Sequence, residues 1–243
     1  MMIIRLLCCV LCFMVLHSPT VRAQISVVDL NLNEGIETWY NQTIGREHTP
    51  IAEGTYYKIQ SQTVLEHQFF ESAAWKEGFL IIENQSFNDI RMLYNTFQDL
   101  LIVDNSGMYR SSYPALQPNQ KKITQFTIGE SLFLNLQSQE PPYGKGFYQV
   151  VYQGDQIRLL AKRIKTSSVG PQSVEYDEAD ILFIQVGSSY YKFRNKKSLY
   201  DIFPAHKNDI KKFIKSNLTY MNLKDETDLA TVLDYCESLV PSL

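Results

Sequence analysis

Beyond its first two dozen residues the chain has one cysteine, Cys236, because Cys8, Cys9 and Cys12 all sit in an apolar run at the start. A lone thiol excludes an internal disulfide and any Cys-x-x-Cys metal or redox site. Histidine is scarce as well. His48, His67 and His206 follow that run, and no two of them lie three or four residues apart, the spacing that lets one helix face offer two zinc ligands. No G-x-S-x-G string marks a strained nucleophile turn, and Ser106 and Ser188 sit in strings that read as hairpin turns. There is no apolar run of membrane-spanning length, no repeat of fixed period and no low-complexity tract. Positive charge is not in surplus either: the formal net charge is −3, which removes any obvious reason to bind nucleic acid.

What is present begins with MMIIRLLCCVLCFMVLHSPTVRAQ. Arg5 precedes an apolar stretch from Leu6 to Leu16, and Val21 and Ala23 stand three and one positions before a cut, the pattern of a secretory signal peptide over residues 1–23. The apolar run is shorter than the about 20 residues a bilayer requires. Cleavage would remove Arg5 and Arg22 and no acid, taking the formal charge from −3 to −5. The expected location is therefore periplasmic or secreted. The 15 Tyr and 13 Phe of the chain lean it towards strand rather than helix.

Residues 24–72 read as an N-terminal extension with few strands, one of them near Ile25–Leu30, and with Val64, Phe69 and Phe70 as candidate buried positions. Residues 73–243 read as a β-rich domain. Apolar runs there are separated by ENQS, NTFQD and DNSG, turn chemistry that describes hairpins. Strands are expected over Ile123–Ile128 and Ser131–Leu136, followed by a soft internal boundary at 137–146 that contains Pro141 and Pro142. Two further hairpins follow, one turning at Gly154-Asp155 and one at Gly187-Ser188, with a charged loop from Thr166 to Asp180 between them. The pattern then changes period. Ser198 reads as a helix cap and Pro204 as a stop. Ile210, Phe213 and Ile214 oppose a lysine row, and Leu229, Val232, Leu233, Cys236 and Leu239 repeat at helical spacing. The expected fold is α+β, mainly antiparallel β: a meander of hairpins forming a sheet or partly open barrel, with two or three C-terminal helices packed on it.

One resemblance emerges from these residues. Trp75 and Gly78, then Tyr94-Asn95 before an apolar strand, then the Gly146-Phe147 hairpin, then YYKFRNKKSLYDIF with its lysine-rich helix, resemble an uncharacterised family of exported β-rich proteins from Bacteroidetes-type bacteria. The resemblance spans about 73–239 and implies an envelope or secreted location. It brings no activity and no catalytic residue with it.

Candidate chemistry is thin. Cys236 falls on the apolar stripe of its helix and reads as an inert packed thiol. Glu175, Asp177, Glu178 and Asp180 lack the glycine and distal glutamate of a calcium loop, so no metal or cofactor is expected. Asn41, Asn84 and Asn217 match glycosylation acceptors, which are idle in a bacterium. Two features point to binding instead. Lys207, Lys211, Lys212 and Lys215, with Lys196 and Lys197 nearby, form a basic face that is either the solvated side of an amphipathic helix or a surface for an acidic partner or anionic head groups. Tyr190 and Tyr191, with Tyr143, Tyr148 and Trp75, either pack in the core and across strands or line a sugar or peptide groove. The leading expectation is non-enzymatic binding of an envelope protein or glycan, with peripheral membrane contact through the lysines. A hydrolase of polysaccharide or peptidoglycan using separated carboxylates, and a carrier with a dry cavity for a small lipophilic ligand, are the rivals.

Overall fold

Strands dominate, and alternation explains them. The computed structural model describes residues 49–59, 67–106, 114–137, 143–169, 174–217 and 222–240, all within one unit, Gly35–Leu243. The expected leader at 1–23, the strand near Ile25–Leu30, Val64 and His48 lie outside the described residues. The strands are β1 (Thr55–Tyr56), β2 (Lys76–Ile82), β3 (Gln85–Asn95), β4 (Leu100–Asp104), β5 (Ala115–Gln117), β6 (Ile123–Ile128), β7 (Ser131–Leu136), β8 (Gly146–Gln153), β9 (Ile157–Lys162), β10 (Lys165–Val169), β11 (Val174–Glu178), β12 (Ile181–Val186) and β13 (Ser189–Lys192). Eleven of them form one unclosed sheet in the order β1-β5-β4-β3-β2-β6-β7-β8-β9-β12-β13, with every neighbouring pair antiparallel. Turn chemistry sets the register at β2–β3, where Glu83 and Asn84 both take positive φ (51° and 62°), as a two-residue hairpin of primed type requires.

The N-terminal half of the sheet must curl. β5 and β6 are four strand positions apart, about 19 Å at the usual strand spacing. Residues 118–122 alone join them, and three of those form a 3₁₀ turn. Gln120 fixes the crossing: its Oε1 accepts from Leu101 N (2.6 Å), its Nε2 donates to Leu101 O (3.0 Å), and its own carbonyl accepts from Asn135 Nδ2 (2.8 Å). The inside of the curl is filled by aromatics. Tyr94 meets Phe126, Phe133 and Phe147 at centroid distances of 5.6, 4.9 and 5.8 Å, mostly edge to face, the arrangement ring quadrupoles favour.

The same face continues into the second half. Phe126, Phe133, Gln149, Ala161 and Leu182 are successive cross-strand partners, so one row of side chains runs from the aromatic core to the surface beneath the helices. Three helices cover that end: α1 (Lys196–Ile202), α2 (Lys207–Asn217) and α3 (Glu226–Leu239). Leu199, Ile210, Ile214, Leu229, Val232, Leu233 and Cys236 are buried with Ile157, Leu159 and Ile184, each large side chain contributing about 2 kcal/mol by leaving water. Glu237 ties α3 to the β8–β9 turn by accepting from Gln156 N (2.7 Å) and Ile157 N (2.9 Å).

Two local expectations are corrected. Ser198 is not the cap of α1: Asn195 is, accepting from Lys197 N at 2.9 Å, while Ser198 supplies the reciprocal bond at the third helical position. The segment 166–180 is not simply a loop, since β10 and β11 pair within it as a separate two-stranded arm. Its sequence hid this because both strands are largely exposed and polar, leaving no buried face to impose alternation.

Candidate functional site

The titratable groups gather where β9 leaves the sheet. Lys162, the last residue of β9, is buried (side chain 5% exposed), with its Nζ donating to Asp99 Oδ2 at 2.6 Å and to Phe147 O at 3.0 Å. Asp99 Oδ1 accepts from the Tyr94 hydroxyl at 2.6 Å. Gly146 has to be glycine here: at φ +134°, a Cβ would fall 2.0 Å from Asp99 Oδ2. Burial pulls the Lys162 ammonium below the usual lysine range, and Asp99 opposes that pull. The trio joins the β3–β4 turn to β8 and β9, with Lys162 buried and Asp99 partly open to water, and acts as a clasp.

One residue on, Arg163 makes a second cluster. Its Nη1 and Nη2 donate to the two carboxylate oxygens of Glu226 at 2.7 Å each, Nη1 also to Asp180 Oδ2 at 2.7 Å, and Nε to Gln149 Oε1 at 2.6 Å. A cleft of about 350 Å³ lies beside it, lined also by Glu71, Glu178, Thr96 and Lys165. This is the place to test the hydrolase reading, because it holds several acids. Glu226 gives both oxygens and Asp180 gives one to a single guanidinium, an ion-pair clamp that docks α3 onto the sheet. Glu71 pairs with Lys76, and Glu178 lines the same cleft.

The arm closes the third cluster. Tyr176 donates to Gln68 Oε1 (3.2 Å) and sets its ring 5.7 Å from that of Phe97, while Gln68 and Asn95 both donate to the Tyr57 hydroxyl (2.8 and 2.9 Å). His67 is buried beside it, its Nδ1 accepting from Phe69 N at 3.2 Å, and its carbonyl accepts from Lys165 Nζ at 2.8 Å. Burial first, and the Lys165 charge second, push the His67 pKa down. His206 stands far along the chain in the 3₁₀ turn before α2, and among the described residues no three His, Cys, Asp or Glu side chains converge as a metal site. Cys236 is buried in the helical core, where desolvation pushes its thiol up to about 12, far from nucleophilic.

The expected aromatics are spread over both halves of the sheet. Tyr148 is fully buried with Leu160 and Phe183, Tyr190 packs on the same cluster, and Trp75 packs with Phe69 and Ile102 at the other half of the sheet. Tyr143 and Tyr191 are 52% and 41% exposed but lie on separate elements. The lysines are where their spacing put them: Lys207, Lys211, Lys212 and Lys215 are all exposed along α2, and Lys196 and Lys197 open α1. A groove of about 410 Å³ next to them is walled by Phe193 and Leu223 and ringed by Arg194, Lys196, Lys197 and Lys224. Sequence reasoning missed Arg194 and Lys224 as members, although the density of basic residues between 192 and 224 was there to be counted.

No family model, no curated protein and no solved structure matches the chain. No helix among the described residues is long and apolar enough to cross a membrane.

Proposed function

We propose that the protein is a non-enzymatic binding module that docks an acidic protein through its helical layer, in the envelope if the chain is exported. One observation carries this. Residues 192–224 hold nine of the 23 basic residues and two of the 26 acidic ones, formally +7 against −10 for the remainder. Among the described residues none of those nine cations forms an ion pair, whereas five of the ten described cations outside that stretch do, Lys76, Arg91, Lys122, Lys162 and Arg163. Unpaired charge of one sign steers an oppositely charged surface and rejects like-charged ones. A membrane surface would meet the same charges. An interfacial helix, however, also presents apolar side chains for insertion, and none of the exposed large hydrophobics, Tyr56, Phe97, Tyr143, Val169, Val174 and Tyr191, lies on α1, α2 or α3.

The test pairs the wild type with Lys207→Glu/Lys211→Glu/Lys215→Glu in pull-downs from an envelope fraction and in sedimentation with phosphatidylglycerol vesicles. An acidic protein retained by the wild type, and released by the triple change and by high salt, is the expected result. Identical captured sets for both forms would overturn the proposal. Charge-dependent vesicle binding with no protein retained would transfer the surface to lipid.

A further inference from the structure

The sheet ends at the basic groove. β13 pairs with β12 on one side only, and among the described residues no backbone hydrogen bond leaves its other edge. The extended chain runs on past the strand, since Phe193 N still donates to Leu182 O at 2.9 Å. Side chains alternate along this edge. Tyr191 lies beside Ile184 on the helix side, as does the buried Phe193, while Lys192 lies beside Phe183 on the opposite face. Immediately beyond, the groove of about 410 Å³ offers an apolar floor, Phe193 and Leu223, inside a ring of cations.

Open strand edges template further strands, and proteins that leave one exposed normally guard it with charge. Here the guard is selective. A second copy brought edge to edge would set Lys192 and Arg194 against their own counterparts, a like-charge juxtaposition that costs affinity, whereas a carboxylate-bearing strand meets complementary charge along its length. We infer that an extended acidic segment of the partner adds to the outer edge of β13 as a twelfth strand and lays an apolar side chain between Phe193 and Leu223. Its carboxylates then meet Lys192, Arg194, Lys197 and Lys224. Main-chain hydrogen bonds give such a complex its affinity, and the alternate side-chain positions give it selectivity. The inference rests on the acidic-partner reading and adds to it the docking mode.

Fluorescence anisotropy of a labelled octapeptide of alternating Glu and Val, titrated with the full protein at low salt, tests it. Saturable binding is expected, weakened at least tenfold by Arg194→Glu/Lys224→Glu and by Leu223→Ala. Methylating either set of alternate amides in the peptide should weaken it tenfold in one of the two cases, because only one set faces β13. That arm alters the peptide alone and is immune to misfolding of a variant, and Arg194→Gln/Lys224→Gln repeats the protein arm with less perturbation. Equal affinity for both methylated peptides and the parent would overturn strand addition, as would absence of peptide binding. In either case the pull-down with the α2 triple variant decides separately whether the acidic-partner reading survives.

Discussion

Replacing Asp99 with Asn removes a charge while keeping shape, and asparagine tolerates the residue's φ of 59°. In the wild type the two carboxylate oxygens serve two donors, Lys162 Nζ and the Tyr94 hydroxyl, at 2.6 Å each. One amide oxygen cannot serve both, and the amide nitrogen turns a donor toward whichever is left. Breaking a fully buried pair costs about 3–5 kcal/mol because the surviving charge is stranded. Asp99 is 30% exposed, so water screens part of that loss, whereas Lys162 at 5% gains little from solvent. The expected destabilisation is about 2–3 kcal/mol, or a fall in Tm of about 4–12 °C for a chain of this size. Urea unfolding followed by tryptophan fluorescence, with thermal melts by circular dichroism, measures it. Adding Lys162→Met removes the stranded ammonium, so the double variant should return to within about 1 kcal/mol of the wild type, a coupling typical of contacting residues. The pH profile carries the same signature. Because burial holds the folded Lys162 below the unfolded lysine value of 10.5, the unfolded chain binds more protons just beneath that pH and stability rises with pH there. Without Asp99 the rise should begin at lower pH. A loss under about 0.5 kcal/mol, or a double variant that costs the sum of the two singles, would refute the reasoning.

Two further outcomes follow from buried groups outside the docking surface. The folded state holds the His67 pKa below 6.5, so its contribution is fully present above that pH and is lost as pH falls below it, when the unfolded chain takes up the proton first. His67→Asn, which keeps an acceptor for Phe69 N, should flatten the dependence of unfolding free energy on pH between about 7 and 5, and an unchanged slope would contradict the assignment. Cys236 should resist iodoacetamide at pH 8 in the native protein and react on addition of urea, as read by mass spectrometry of its peptide. Native labelling at a comparable rate would show that the thiol is not the packed group the helix places against Ile157 and Leu159.

How much of this could be read beforehand depended on whether a signal was local. β6 and β7 coincide with the strands expected from alternation, and the hairpins at Gly154 and Gly187 formed as their turn residues dictate. The lysine row on α2 is legible because helical geometry maps positions 207, 211 and 215 to one stripe. β5 was not legible, being three residues long just after Pro114, and it exists because β4 and β1 supply partners on its two sides. The clasp was invisible for another reason. Lys162 ends a run, Ile-Arg-Leu-Leu-Ala-Lys, in which a terminal lysine normally reaches solvent, and its burial depends on Asp99 arriving from 63 residues away. The Arg163–Glu226 clamp spans the same separation and was equally beyond any pattern of spacing.

The contrast between those clasps and the helical layer is the physical case for a partner. Where the fold needs a cation, at Lys162 and Arg163, it places a carboxylate within 2.7 Å. Along α2 it does the reverse: Lys207, Lys211 and Lys215 repeat at four-residue spacing, each successive pair opposing the helix by about 0.2–0.5 kcal/mol, and Asp209 is the only acid in the helix. Glutamate at position 211 would turn both repulsions into attractions without touching the core beneath, because Ile210 and Ile214 alone face it with full burial. Lysine favours the helix and solvates its outer face, but neither role needs like charges at four-residue spacing. The cost of that spacing is offset when an opposing surface brings carboxylates, which none of the described residues pairs with these lysines.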